Sequence, residues 1–171
     1  MRIRNISNVH INKKIWRELC SFFGLVDILP GYLKDDLGMY PHKYLNISIR
    51  ERKKLLIDED GQVVTGSYTY GHIYLYPCKK CNFASLTHVL IHELYHCWLH
   101  QNYPMFYDRV EHCSVADNIA DIIFCWIGGR IGSSCSSYRL KYSIDSDIRT
   151  KSQKLLKKSL KNLSKSYNKN Q

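Results

Sequence analysis

Leu90-Ile91-His92-Glu93-Leu94-Tyr95-His96-Cys97-Trp98 is the stretch on which the reading of this chain turns. No Gly or Pro falls between Asn82 and Gln101, and Leu90, Ile91, Leu94, Trp98 and Leu99 supply apolar surface. The segment therefore reads as a helix half-buried in a core. Residues four apart share a helix face, so His92 and His96 can turn both imidazoles to one tetrahedral zinc ion. Glu93 sits beside them, where a carboxylate can take a proton from a zinc-activated water. With eight histidines in 171 residues, the bare pattern arises by chance in about 0.01 of such chains, so its context matters. A strand-like run precedes this helix, and an apolar helix carrying acidic residues follows it.

The size of the chain and its 44% hydrophobic content suit one compact domain. No apolar run is long enough to span a membrane. Met1-Arg2-Ile3-Arg4-Asn5 lacks the apolar core of a signal peptide. The seven cysteines, an odd number, read as reduced thiols of an intracellular, cytoplasmic protein. The net charge of +10 is unevenly spread, because ten Lys or Arg against two Asp between Tyr138 and Gln171 account for +8 of it. The expected organisation is a metal-binding domain over 1–137 and a basic, helical tail over 138–171.

Val9 to Gly24 reads as a first helix, capped by Asn12 and with Ile15, Trp16, Leu19, Phe22 and Phe23 at helical spacing. Tyr44 to Arg50 alternates apolar and polar residues as a half-buried strand does. Asp58 to Gly61 reads as a turn, and Gln62–Thr65 and His72–Tyr76 as two further strands. The proline at 77 suits a strand end or an edge, so His72–Tyr76 is the expected edge for an extended peptide. Cys78-Lys79-Lys80-Cys81 has no second CxxC to pair with and reads as a lysine-rich turn with two small thiols. A second helix is expected over Cys113 to Trp126, stopped by Gly128-Gly129, and a last one over Asp145 to Lys165. The fold class is α+β, a short mixed or antiparallel sheet packed on the motif helix and a second ligand helix.

A catalytic zinc needs a third protein ligand. His88 and His100 extend the histidine stripe, but His92 and His100 are about 12 Å apart along an unbroken helix axis. The ligand is therefore expected from the next helix, where Glu111, His112, Asp117 and Asp121 are the candidates. Asp117 and Asp121 lie four apart on an otherwise apolar helix, where burying carboxylates is costly unless they pair or bind metal. Asp117 is assigned to the zinc and Asp121 to the outer nitrogen of a ligand histidine. His112 and Glu111 are the alternative ligands.

His92-Glu93-x-x-His96 followed by an acidic pair four apart on a later helix resembles the zincin metallopeptidases, in particular the gluzincin arrangement. There a Glu ligand follows the motif on a later helix, and an Asp four residues further on supports a histidine. Asp117 and Asp121 stand at that spacing, with Asp in place of Glu at the ligand. Val63 to Ile127 also resembles small phage or bacterial zincin-like proteins of the ImmA/IrrE and SprT-like kinds. SprT-like proteins use a later His ligand, which would promote His112. The resemblance implies a zinc peptidase acting on a polypeptide, with Glu93 as general base. Tyr68, Tyr70, Tyr103, Tyr107 and His112 are the candidates to stabilise the oxyanion. Two other readings keep the same fold: a nucleic-acid-associated or antirestriction-like protein contacting phosphates nonspecifically through the basic tail, and a catalytically inactive interaction module.

Overall fold

The computed structural model describes residues 2–25, 45–51, 57, 63–69, 71–103 and 111–169. The expected irregular stretch at 35–42, the turn at 58–61, Tyr70, Tyr107 and the side chains of Glu111 and His112 lie outside the described residues. Within them the chain is α+β. The strands are β1 (Arg2–Asn5), β2 (Asn46–Ile49), β3 (Gly66–Thr69), β4 (His72–Leu75), β5 (Gly129–Arg130) and β6 (Arg139–Leu140). The helices are α1 (Lys13–Phe22), α2 (Phe83–Asn102), α3 (Glu111–Trp126) and α4 (Ile148–Lys169).

The main sheet runs in the order β1-β2-β4-β3, with β1, β2 and β4 parallel and β3 antiparallel to β4. Its alternation explains both rows of side chains. Ile3, Ile47, Ile73 and Tyr68 are in register across the four strands, and all four are buried. Ile49, Leu75 and Gly66 form a second row. The expected edge at His72–Tyr76 is corrected by this order: β4 is an inner strand, and the edges are β1 and β3, of which β3 is the one beside β4. The cause is local. Polar, glycine-led Gly66-Ser67-Tyr68-Thr69 buries only Tyr68 fully, so it carries little of the hydrophobic pattern by which strands are read.

Helix α2 is long because nothing breaks it. Asn82 caps its start by accepting from the Ser85 amide, and the Ser85 hydroxyl oxygen in return accepts from the Asn82 amide. Such a reciprocal cap contributes on the order of 1 kcal/mol. Leu90, Ile91, Leu94, Tyr95, Cys97 and Leu99 are fully buried, which places the motif helix in the centre of the molecule. Trp16 on α1 donates its indole N–H to Thr87 at 3.0 Å. Tyr95 meets Ser159 of α4 through their hydroxyls at 3.3 Å.

The basic C-terminal segment is α4. Ile148, Leu156 and Leu163 belong to the same hydrophobic core as the rest of the chain, while Arg149, Lys151, Lys154, Lys157, Lys158, Lys161 and Lys165 are exposed. Among the described residues no helix is long and apolar enough to cross a membrane.

Candidate metal centre

Antiparallel packing of α2 and α3 builds the site. His88 Nε2 bonds Asp121 at 2.7 Å, and one turn further His92 Nδ1 bonds Asp117 at 2.8 Å. Each four-residue step along α2 is thus matched by a four-residue step back along α3. The following step sets Cys113 opposite His96. His92 and His96 bring their Nε2 atoms to 2.8 Å of each other. Glu93 is buried at 5% exposure.

Gly66 explains how the sheet edge comes so near. A Cβ there would lie 2.5 Å from Glu93 Oε1 and 2.7 Å from Val89 Cγ1. Only a residue without a side chain lets β3 lie directly over the Glu93 carboxyl. The groove between them has a volume of about 640 Å³ and is lined by β3, by His92, Glu93, His96, Cys113 and Asp117, and by residues 132–135 and 138.

Burial pushes the Glu93 carboxyl up to about 7, with the His92 charge opposing and the Asp117 charge assisting. At His92 burial favours the neutral ring, but the hydrogen bond it donates to Asp117 and the charges of Glu93 and Asp117 outweigh it and raise the pKa. The hydrogen bond to His92 is the main reason Asp117 is held below the usual carboxylate range. The ionised Asp117 accepts from Nδ1–H of His92, leaving the Nε2 lone pair turned toward His96. Burial raises the Cys113 thiol, and the Asp117 and Glu93 charges raise it further.

The two aspartates meet histidines one helical turn from the arrangement expected of them. Asp117 holds the outer nitrogen of His92, the place expected for Asp121. Asp121 reaches His88 instead. Its bond to Nδ1 puts Asp117 on the far side of the ring from Nε2, so its oxygen is about 6–7 Å from any metal on Nε2. The sequence fixes which face of α3 the pair occupies but not how far α3 slides along α2, and one turn of slide exchanges the partners. His100 is a structural group, bonded through Nδ1 to the Tyr68 hydroxyl at 3.0 Å. That hydroxyl also accepts from the Gly71 amide, so Tyr68 braces the β3–β4 turn. Tyr103 caps the C-terminus of α2 and packs on Trp98.

Cys113, Gly66 and Tyr138 of the groove were not among the expected site residues. Cys113 was readable by the same four-residue rule that singled out Asp117 and Asp121. Gly66 and Tyr138 carry no comparable signal. A second cluster was also missed. The sulfurs of Cys78, Cys81 and Cys135 lie within 4.8 Å of one another, a group that could hold a metal ion. No other described set of three His, Cys, Asp or Glu donors is that close.

Compared with known proteins, the chain matches no family model, no curated protein and no solved structure.

Proposed function

We propose that this chain is a zinc-dependent peptidase of zincin-like architecture. The observation that carries the reading is the convergence of the His92 and His96 Nε2 atoms at 2.8 Å beside a buried carboxyl, Glu93, under a sheet edge. The fit to zinc is close. Zn–N bonds of about 2.0–2.1 Å at a tetrahedral angle set two nitrogens about 3.3 Å apart, so the pair needs to open by only about half an ångström. His92 and His96 hold the ion and Asp117 orients His92. The third donor comes from the first turn of α3, Glu111, His112 or Cys113, the turn that the antiparallel register sets opposite His96. A bound zinc supplies the Lewis acidity that lowers the pKa of a water and polarises a carbonyl.

The chain's own groups do the rest. Glu93 accepts the proton of the attacking water and returns it to the departing amine. β3 offers the outer edge of the sheet to an extended polypeptide, whose backbone pairs with it and is aligned along the groove. The test is Glu93→Gln, assayed on a quenched fluorescent peptide library with zinc content measured in parallel. The variant keeps its metal and loses about 100–10,000-fold in rate. Cleavage at the wild-type rate refutes the assignment of Glu93.

One observation favours a second reading, in which the protein also associates with nucleic acid. The exposed face of α4 carries seven cations, from Arg149 to Lys165, while its other face is locked into the core. A rigid cationic stripe of that kind contacts phosphates without reading bases.

A further inference from the structure

The three sulfurs outside the groove form a second site. Cys78 Sγ lies 3.1 Å from Cys81 Sγ and 3.5 Å from Cys135 Sγ. The first two belong to one tight turn, closed by the Cys81 amide bonding the Cys78 carbonyl at 3.0 Å. Cys135 arrives from the segment after α3, so its convergence on the turn is a property of the fold. Asn82 enforces that approach. Its side-chain oxygen caps α2, while its Nδ2 donates to the carbonyls of Ser136 and Tyr138 at 3.3 and 3.1 Å. The Cys78 amide also donates to the Cys81 sulfur at 3.2 Å.

We propose that Cys78, Cys81 and Cys135 form a structural zinc site, distinct from the His92/His96 centre, that pins the 131–138 segment to the start of α2. Zn–S bonds of about 2.3 Å at a tetrahedral angle place sulfurs about 3.8 Å apart, so the two closest spacings, 3.5 and 3.1 Å, need to open by about 0.3 and 0.7 Å. A sulfur-rich tetrahedral set selects zinc over hard, oxygen-preferring cations. Three thiolates around a divalent ion leave one net negative charge, and exposed Lys79 and Lys80 in the same turn offset it. A disulfide would use two of the sulfurs and leave the third converging without a role. Cys78 and Cys81 also line a hollow together with His10 and Glu51. Because Cys81, Gly132, Ser133, Ser134 and Cys135 also line the substrate groove, this ion fixes one wall of the cleft without entering the chemistry.

The site does not depend on the peptidase reading, and the experiment separates them. The full chain carrying both His92→Ala and His96→Ala is purified under reducing conditions, and its zinc is measured. One zinc per chain remains, against two in the unmodified protein. Replacing zinc by cobalt(II) in that variant produces thiolate-to-metal charge-transfer absorption in the near ultraviolet, which Cys135→Ser removes. Titration with a mercurial releases that zinc only as three thiols react beyond the exposed Cys113 and Cys125, a readout that needs no cysteine substitution. A double histidine variant without metal, a cobalt form without thiolate absorption, or zinc release that consumes no thiols overturns the proposal.

Discussion

Asp117→Asn separates a metal ligand from a residue that only holds one. The 2.8 Å bond from His92 Nδ1 to Asp117 is charge-assisted, a kind that contributes about 1.5–3 kcal/mol. Its loss leaves both Nε2 donors in place but frees the His92 ring to rotate and removes the charge that makes it a stronger donor. A cost of about 1.4–2.7 kcal/mol corresponds to a 10–100-fold rise in the zinc dissociation constant at this centre, the range for a group bonded to a ligand's outer nitrogen. Asp121→Asn is the control: it loosens His88 and leaves zinc affinity within about twofold. The assay is competition with a chromophoric chelator at fixed pH, run in a Cys135→Ser background so that one site is read. A loss of more than about 1,000-fold for Asp117→Asn, or equal losses for the two aspartates, refutes the reasoning. Asp117 would then be a ligand, as its spacing alone suggests.

Three further outcomes follow from the same geometry. Gly66→Ala drives a methyl group into Glu93 Oε1 and Val89 Cγ1; thermal unfolding should show a loss of about 1–3 kcal/mol, and kcat/KM should fall at least tenfold while zinc content is kept. In the metal-free protein the Glu93 carboxyl titrates near 7 instead of its usual 4.5. The folded state then retains a proton that the unfolded chain has released, so stability falls as pH rises between those values, by up to about 3 kcal/mol; His92, also raised, acts in the same direction, and urea unfolding of metal-free Glu93→Gln should show a shallower decline. For α4, deleting residues from Ser143 onward would strip Ile148, Leu156 and Leu163 from the core, so the informative change is Lys154, Lys157, Lys158 and Lys161 to Gln. It should leave unfolding unchanged, weaken binding to DNA or RNA and flatten its salt dependence, whereas affinity indifferent to both salt and substitution would exclude phosphate contacts.

How much of this was legible in the sequence depended on whether the signal was local. Asn12 caps α1 as expected because a cap is set by neighbouring residues, and Asn82 caps α2 by the same local rule. β2 and β4 appear where Ile47, Ile49, Ile73 and Leu75 alternate with less buried residues. β1 contributes a single buried side chain, Ile3, and β5 and β6 are two residues each, too short to pattern. At the site, the facing of His92 and His96 follows from helix geometry alone. Asp117 and Asp121 share one face of α3, as their four-residue spacing requires, and bond His92 and His88, one turn from the expected arrangement. Cys135 could not be linked to Cys78 and Cys81 by any spacing, since its approach depends on how the 131–138 segment folds back onto α2. The lysine-rich turn was accordingly read as inert.

The account rests most heavily on a metal between His92 and His96. A crystal structure of the zinc-loaded full chain, with anomalous diffraction recorded on both sides of the zinc absorption edge, tests it directly. The account predicts a peak bonded to Nε2 of both histidines, with Asp117 remaining on Nδ1 of His92 and the third bond made by Glu111, His112 or Cys113. A zinc-loaded crystal with no anomalous peak at that pair, and the two rings still in mutual contact, would contradict it.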